Sequence, residues 1–557
     1  MTSSRSVLAA AVILAAAVSV GAMSPQVAGG GWQTPAAPSP AAPAPAPAAA
    51  AGDPPRTASA PAPPAGRGGG RGNPAVGLFT ENCAPCHGTG IEGGRVHTLF
   101  DDKLTHATDD ESIASIVANG IPNTEMVAFK TALNDQQIWQ LVAYVRTQTA
   151  SLKEKPQLVV DPQGQVIKSE KQTFTIDVVA RNLETPWGAA FLPDGRILVT
   201  ERPGRLRIIE KGVLLPEPIK GTPKVWEKQD GGLLDVAAHP QYAKNGWIYL
   251  AYSETLPGYT PPPPAPAGAS PAAPAEPPAA GRQGGGRGQG GPPDPPSMTV
   301  VVRGKINKNH EWTDEQVIFR ADPKYYSSTN AHYGSRFAFD RQNHLFFTIG
   351  EKNNMAHAQD LTDPLGKIHR VNDDGTVPKD NPFVNREGAV PTIWSYGHRH
   401  PQGLAWDPVS GKLWESEHGP QGGDEINIIE PGHNYGWGVV TMGIQPGITK
   451  RSEAGMDQPV VYYTPTIAPS GMSFYPGTKY PGWKNNLFIG GLGGQQLRRL
   501  EVEGDKVTHQ EVVFNQFGRI RDVVVGPDGY LYVLMQLPGQ SLSQSTPGVL
   551  ARLIPVP

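Results

Sequence analysis

The sequence predicts an all-β fold, a six-bladed β-propeller, with a small all-α domain on its N-terminal side. The first observation is a repeated unit: an apolar triplet, a turn with Pro, Asp or Gly, then an alternating apolar strand. It begins at Phe191, Val236, Phe337, Leu404, Met472 and Val523. The second is spacing, since the copies recur every 45–70 residues or so once a low-complexity insert is discounted, which suits one blade per copy. The third is that few helix signals interrupt the repeats, whereas helical patterns lie between 74 and 150. A β-sandwich is the rival, but its strands would not recur as matched hairpins at this longer period.

Taken in order, the 557-residue chain opens with a stretch that reads as an export signal. Arg5 supplies the positive start, Val7–Val20 is apolar, and Val20-Gly21-Ala22 is a small-residue cleavage site. The reading is a signal peptide over 1–22, with a retained N-terminal anchor as the alternative. A periplasmic or secreted bacterial protein with no membrane span after cleavage follows from the first. Residues 23–73 are Ala/Pro and then Gly/Arg repeats, too poor in apolar side chains to fold, and read as an extended tether. A second such tract, 257–297, lies between two β-like runs, so it reads as a surface insert within the large domain. About 440 residues remain, enough for a small domain at 74–150, a linker at 151–172 and a propeller at 173–557. The net charge of −3 argues against a nucleic-acid partner.

Cys83 and Cys86 are the only cysteines, so no disulfide framework exists. Cys83-Ala-Pro-Cys86-His87 fits the CxxCH signature of covalent haem attachment, with His87 placed to ligate iron. A thioredoxin-like redox pair is the alternative. Met126 sits in a Pro/Asn loop about forty residues after His87, where a thioether can complete the iron's axial pair and raise its potential. Core packing is its other reading. His97 and His106 could ligate instead, but they lie in polar surroundings and read as surface. A short helix over Ala75–Asn82 leads into the motif, and a longer one starts behind the cap Asn134, with Ile138, Leu141, Val142 and Val145 on one face. Together, residues 74–150 resemble a single-haem class I cytochrome c domain.

The densest polar stretch of the propeller is Gly397–Trp437. His332, in a polar loop before the third repeat, has the side chain of a general base, or of an ordinary surface histidine. Arg519 and Arg521 alternate onto one strand face while Asp522 points away, which suits either an anion between them or a solvated face. Glu417-His418-Gly419-Pro420 and Gly422-Gly423-Asp424-Glu425 are rich in carbonyls and carboxylates, which suits calcium or a solvated turn.

In order along the chain, GGLLDVAAHP, HYGSR, GKIHRVNDDGTVPKDNPF, GHRHPQG, EHGPQGGDEIN, NYGWG, APSG and RIRDVVVGPDG resemble the PQQ-dependent soluble glucose/sorbosone and aldose sugar dehydrogenases. The resemblance implies that His332 is the catalytic base. It implies that Arg399, Arg519 and Arg521 hold the polyanionic PQQ, with Asp230 and His400 also at the cofactor. Gly419 and Pro420 would offer carbonyls to a Ca²⁺ beside PQQ, and Glu425 and Tyr435 would serve a second, structural Ca²⁺. Four positions depart from the family pattern: Asp230 where Gln is common, His400 for Asn, Gly493 for a Lys and Thr464 for a Trp. The expectation is a quinohaemoprotein that oxidises a sugar or polyol and passes electrons through its own haem to a periplasmic carrier or terminal oxidase. The alternative is a cytochrome-fused propeller that binds carbohydrate or a partner without PQQ catalysis.

Overall fold

The six repeated hairpins become six antiparallel sheets around an axis, a six-bladed β-propeller. Each repeat supplies the first two strands of its sheet. The first strands are Pro186–Phe191, Leu233–Ala238, Phe337–Phe339, Pro401–Trp406, Pro469–Phe474 and Arg519–Val525. Each contacts the first strand of the next sheet, and the sixth contacts the first, so these strands form the innermost ring. The computed structural model describes residues 73–101, 103–153, 156–260, 294–538 and 546–556. The expected export signal, nearly all of the tether and most of the insert lie outside the described residues.

The ring is closed by a strand that the repeat pattern does not announce. Thr173–Glu184 pairs antiparallel with the last strand, Pro547–Pro555, in the register Phe174↔Pro555 and Ile176↔Leu553. Val166–Lys168 then adds a fifth strand to that sheet. Joining the two ends of the propeller in one sheet buries Phe174, Ile176, Trp483, Val549 and Leu553 in a single cluster. It also removes the free edge that a linear array of sheets would leave. Near the axis, Arg336 bridges Asp235 at 3.2 Å and Asp522 at 3.1 Å, with its guanidinium 4.3 Å above the Trp187 ring. Those four residues belong to four different blades, so one buried ion cluster ties them.

The insert interrupts neighbouring strands of one blade. Ile248–Thr255 and Ser297–Ile306 pair along their length, out to Thr255↔Ser297. At its end Asp294 bonds Lys228 at 2.6 Å and Asn330 at 2.7 Å, two residues before His332.

Four helices precede the strands: α1 (Pro74–Asn82), α2 (Ala84–His87), α3 (Asp110–Asn119) and α4 (Asp135–Leu152). The first starts one residue earlier than expected, because Pro74 occupies its first turn and the Asn73 side chain caps it. Asn134 caps α4 in a reciprocal pair with Gln137. Helix α3 was not anticipated. Its reciprocal cap is Asp109 with Ser112, and Ser stands where the usual signature has Glu or Gln. Phe79, Phe100, Ile113, Leu141, Val142 and Val145 form the core that these helices share.

Candidate functional site

In the helical domain, Cys83, His87, Met126, Leu141, Val142 and Val145 surround one cavity, of ≈ 830 Å³ including its open mouth. The CxxCH segment is a helical turn, with the amides of Cys86 and His87 both bonded to the Cys83 carbonyl. His87 Nδ1 lies 2.8 Å from the His97 carbonyl. A carbonyl only accepts, so Nδ1 carries the proton and Nε2 keeps the lone pair a metal needs. Burial, then the neighbouring Cys86, push the Cys83 thiol up to about 11. His97 and His106 are exposed, as expected of surface residues, yet both also line the cavity. The sequence reading did not foresee the His97 carbonyl's hold on His87.

In the propeller, His332 is buried, and its Nδ1 lies 2.6 Å from Glu351 Oε1. That carboxylate holds the ring by one nitrogen, and Nε2 makes none of the described hydrogen bonds. The backbone at His332 is left-handed, φ 55°. It is held there by its amide, which donates to Asp230 Oδ2 at 3.1 Å. Two residues on, Gly334 at φ 71° allows the chain to pass against the next strand, where a Cβ would meet the Thr348 carbonyl at 2.8 Å. The base-like histidine is therefore fixed at both backbone and ring.

His400 stacks on His332 with ring centroids 4.8 Å apart and meets His418 edge-on at 4.9 Å. Its charge state follows from its neighbours. Arg521 Nη1 donates to Gln402 Oε1 at 3.1 Å, so the Gln402 amide nitrogen faces His400 Nε2, 2.8 Å away. His400 Nε2 must accept, leaving the proton on Nδ1 and the ring neutral. Burial first, then the positive neighbours around it, hold its pKa well below the usual value.

Arg399, Arg519 and Arg521 converge near this pair, and Arg202, which sequence reasoning missed, joins them. Arg399 donates from its amide to Glu417 Oε2 at 2.6 Å and from Nη1 to the His418 carbonyl at 2.9 Å, with its guanidinium 5.2 Å from the Trp437 ring. Arg521 is the extra residue of a bulge between Ile520 and Asp522, so strict alternation does not place it. Asp522 turns to Arg336, as expected, and leaves Arg519 and Arg521 without its charge. The Nε atoms of Arg202, Arg399, Arg519 and Arg521 are all buried without a hydrogen-bond partner. Burial, opposed by Asp230 and reinforced by Arg202, lowers Arg519 to about 10. Arg521 is held well below its usual value by burial and by Arg519, Arg202 and Arg336. Such a concentration of donors without acceptors suits an anion.

Beside Arg399, Gly419 sits so close to the returning chain that a Cβ would lie 2.2 Å from the Gly423 carbonyl. The Gly419 amide donates to Asp424 Oδ1 at 2.9 Å, while the Gly419 and Pro420 carbonyls accept none of the described hydrogen bonds. Thr464 packs against Gly422, and Gly493 bonds back to the Ile467 carbonyl.

Behind this turn, cross-strand register assembles a polar square. Glu415 pairs with Asn427 and Glu417 with Glu425 on adjacent strands, and Asn427 Nδ2 reaches all three carboxylates at 3.1–3.4 Å. Glu415, Glu417 and His398 bring ligand atoms within 4.8 Å of one another. Burial, then repulsion from Glu417, hold the Glu415 and Glu425 pKa values well above normal. Glu415 Oε1 and Asn427 Oδ1 remain unbonded. Three acids share one amide; His398 Nδ1, 3.3 Å from Glu417, and the nearby charge of Arg451 offset them only in part, and the remainder calls for protons or a cation. The Tyr435 hydroxyl donates to the Ile428 carbonyl at 2.6 Å and accepts from the Glu430 amide, so its carbonyl is the group left for a metal. Sequence reasoning missed Glu351, His398 and Glu415, and read Glu417 only as part of a calcium-suited turn, although the alternation in Leu-Trp-Glu-Ser-Glu would have put Glu415 and Glu417 on one face.

With this propeller and this site in place, comparison with known proteins identifies the class. Residues 183–544 match the Glucose / Sorbosone dehydrogenase family model, and residues 72–145 match the model described as Cytochrome C oxidase, cbb3-type, subunit III. The chain belongs to the glucose/sorbosone dehydrogenase family and carries a cytochrome c domain ahead of its propeller. It is 40% identical over 371 residues to Aldose sugar dehydrogenase YliI of Escherichia coli K12, covering 65% of this chain and 90% of that protein. It is 27% identical to Quinoprotein glucose dehydrogenase B of Acinetobacter calcoaceticus, over 68% of this chain and 88% of the other. The crystal structure of the soluble aldose sugar dehydrogenase from Escherichia coli in the apo-form superposes with a TM-score of 0.57 at 37% identity, over 69% of this chain and all of that one.

Proposed function

We propose that this chain is a quinohaemoprotein dehydrogenase that oxidises a hydroxyl of an aldose-type sugar or polyol with PQQ and Ca²⁺, and delivers the electrons to its own c-type haem. The observation that carries the reading is the carboxylate-held His332 beside Arg399, Arg519 and Arg521, whose guanidinium groups lack enough acceptors. A base with one free ring nitrogen at an anion-binding floor suits removal of a hydroxyl proton next to a bound polyanion.

The donor sets fit the implied groups. Arg399, Arg519 and Arg521 present charge and unused N–H groups to an anion, and Arg202, held by Glu227 and the Gln229 carbonyl, adds charge beside them. Gly419 and Pro420 present free carbonyls, the oxygen donors that Ca²⁺ prefers, and the Glu415–Glu417–Glu425 square with the Tyr435 carbonyl supplies a second oxygen-rich site. The apolar cavity holding Cys83, His87 and Met126 fits a haem, with Cys86 on the same turn. When bound, PQQ supplies the two-electron acceptor for the carbinol hydrogen.

His332 Nε2 takes the hydroxyl proton, and Glu351 stabilises the imidazolium that results. Asp230 and the stacked His400 keep the base in place, and neutral His400 adds no charge of its own. We assign residues 74–150 to the haem domain, 173–557 to the dehydrogenase domain and 1–22 to an export signal, which makes the protein periplasmic or secreted. Among the described residues no helix is long and apolar enough to cross a membrane. The final acceptor is a periplasmic carrier or terminal oxidase.

The test is calorimetric titration of PQQ into the haem-loaded protein with Ca²⁺, followed by an aldose panel while the reduced-haem band is recorded. Haem reduction should require PQQ and sugar and disappear in His332→Ala. Absence of PQQ binding with an intact haem spectrum would overturn the reading, in favour of a propeller that binds carbohydrate or a partner.

A further inference from the structure

Between the site and the haem cavity runs one segment that the mechanism does not use, Gly436–Arg451. On one side it leans on the site. Trp437 lies under Arg399, and a Cβ at Gly423 would meet the amide of Gly443 at 2.1 Å, so Met442 and Gly443 press on the turn that carries Gly419 and Pro420. On the other side it leans on the helical domain. The Arg451 guanidinium stacks on the Trp139 ring of α4 at 3.6 Å and also lies 5.1 Å from Tyr462. Arg451 Nη1 donates back to the Met442 carbonyl at 3.0 Å, and Gln136 Nε2 of α4 donates to the Ile448 carbonyl at 3.1 Å. Tyr462 reaches Asp110 at 3.1 Å, and Asp110 in turn holds Arg146 of α4 at 2.7 Å.

The two sides are joined by packing. Trp437 and Ile448 share a buried cluster with Ala358. Helix α4 presents Gln136 and Trp139 to the segment, while Leu141 and Val145 line the haem cavity and Val142 touches both. A cation stacked on an aromatic ring and partly removed from water is attracted by the ring's negative face, a strong contact for a single side-chain pair.

We propose that Gly436–Arg451 is an internal docking strap: it fixes the cytochrome domain against the mouth of the propeller site, so that electrons cross within one chain through the packing of Trp437, Ile448 and α4. This rests on the reading of the site given above. Oxidation of one CH–OH releases two electrons and two protons. The haem iron accepts one electron at a time, Fe³⁺ to Fe²⁺, so each turnover needs two transfers, with an external one-electron acceptor reoxidising the iron after each. The protons leave to solvent. A fixed dock makes both transfers intramolecular and independent of encounter.

The test uses the full-length, haem-loaded protein and the double variant Arg451→Gln/Trp139→Leu, with Arg451→Lys as the version that keeps the cation. Hydrogen exchange is measured first, without quinone. The Thr441 amide, bonded to the Lys450 carbonyl, and the Ile444 amide, bonded to Gln421, should exchange at least tenfold faster in the double variant and near the native rate in Arg451→Lys. Unchanged protection would overturn the dock. Stopped-flow follows, with PQQ, Ca²⁺ and sugar: reduction of a small soluble dye should be unaffected, while haem reduction slows at least tenfold. Haem reduction at the native rate in the double variant would overturn the electron route. If the native protein reduces neither dye nor haem, the dehydrogenase reading fails, and the exchange result still decides the dock.

Discussion

Glu351→Gln isolates what the carboxylate does for His332. The native contact is 2.6 Å, with Glu351 1% and His332 9% exposed, so solvent screens it little. When His332 takes a proton, its imidazolium faces a carboxylate about 4 Å from the ring centre. At an effective dielectric near 20 that attraction is about 4 kcal/mol. A neutral amide recovers part of it by accepting from Nδ1, leaving a net loss of about 2–3 kcal/mol, comparable to a hydrogen bond to a charged group. Each 1.36 kcal/mol is a tenfold change in rate, so kcat should fall roughly 30- to 150-fold. The amide also fills the space of Glu351 Oε2, which has no partner, so the fold should survive. The assay is sugar-driven dye reduction with kcat and KM separated, alongside calorimetric PQQ affinity. KM and PQQ affinity should stay within about threefold, because the carboxylate acts on charge that develops in the reaction. A variant with native kcat, or one that loses PQQ binding and kcat together, would refute this reasoning.

Two further outcomes concern stability. Chelation should lower the propeller's melting temperature by a few degrees with no change in the haem spectrum, since a site held 100-fold above its Kd contributes about 2.7 kcal/mol. The effect should grow from pH 5 to pH 8. In the metal-free protein Glu415 and Glu425 have raised pKa values, so the stability they contribute below about pH 4.5 is lost as pH rises and the unfolded chain ionises. Equal chelation effects at both pH values would count against a metal there. His369, fully buried, bonds the Thr392 hydroxyl and the Pro364 carbonyl at 2.9 Å each, and burial lowers its pKa from 6.5 to about 3. A depressed folded value means stability is intact above pH 6.5 and declines toward pH 3, by about 1.4 kcal/mol per unit. Melting followed by tryptophan fluorescence should show that slope in the native protein and a flatter one in His369→Gln.

The CxxCH turn and the blade hairpins were legible in the sequence because each is local. CxxCH is one helical turn, and a strand–turn–strand repeat carries its own alternation. The arginine pair was visible for the same reason, though the bulge at Arg521, not simple alternation, sets its aim. What stayed hidden depends on register and closure. Arg202 reaches the anion floor from another blade. Glu351 lies 19 residues from His332 and meets it only because two strands of one blade fold back. The carboxylate square exists because Glu415 falls opposite Asn427 and Glu417 opposite Glu425, and a one-residue slip would dissolve it. The closing strand Thr173–Glu184 has an ordinary strand pattern, and nothing within it names its partner more than 350 residues away.

Asp230, one of the departures from the family pattern, can now be judged by its place. Its carboxylate holds the His332 amide and supplies negative charge to an otherwise cationic floor, raising Arg519 against the burial that lowers it. For the protein without its anion this charge is a benefit, since it relieves repulsion among Arg202, Arg519 and Arg521. For a bound polyanion it is a repulsion, on the order of 2 kcal/mol for unit charges 8 Å apart at an effective dielectric near 20. Asp230→Asn keeps an acceptor for the His332 amide and removes the charge. Arg519, at about 10 with Asp230 present, should move lower and still hold its proton at pH 7. The expected result is PQQ affinity up to about thirtyfold tighter at pH 7. A native melting temperature falling slightly in the variant, measured without PQQ, would agree with the same charge ledger. Weaker PQQ binding in Asp230→Asn would mean that the carboxylate orders the floor more than it repels the ligand, and the electrostatic account of this departure would be wrong.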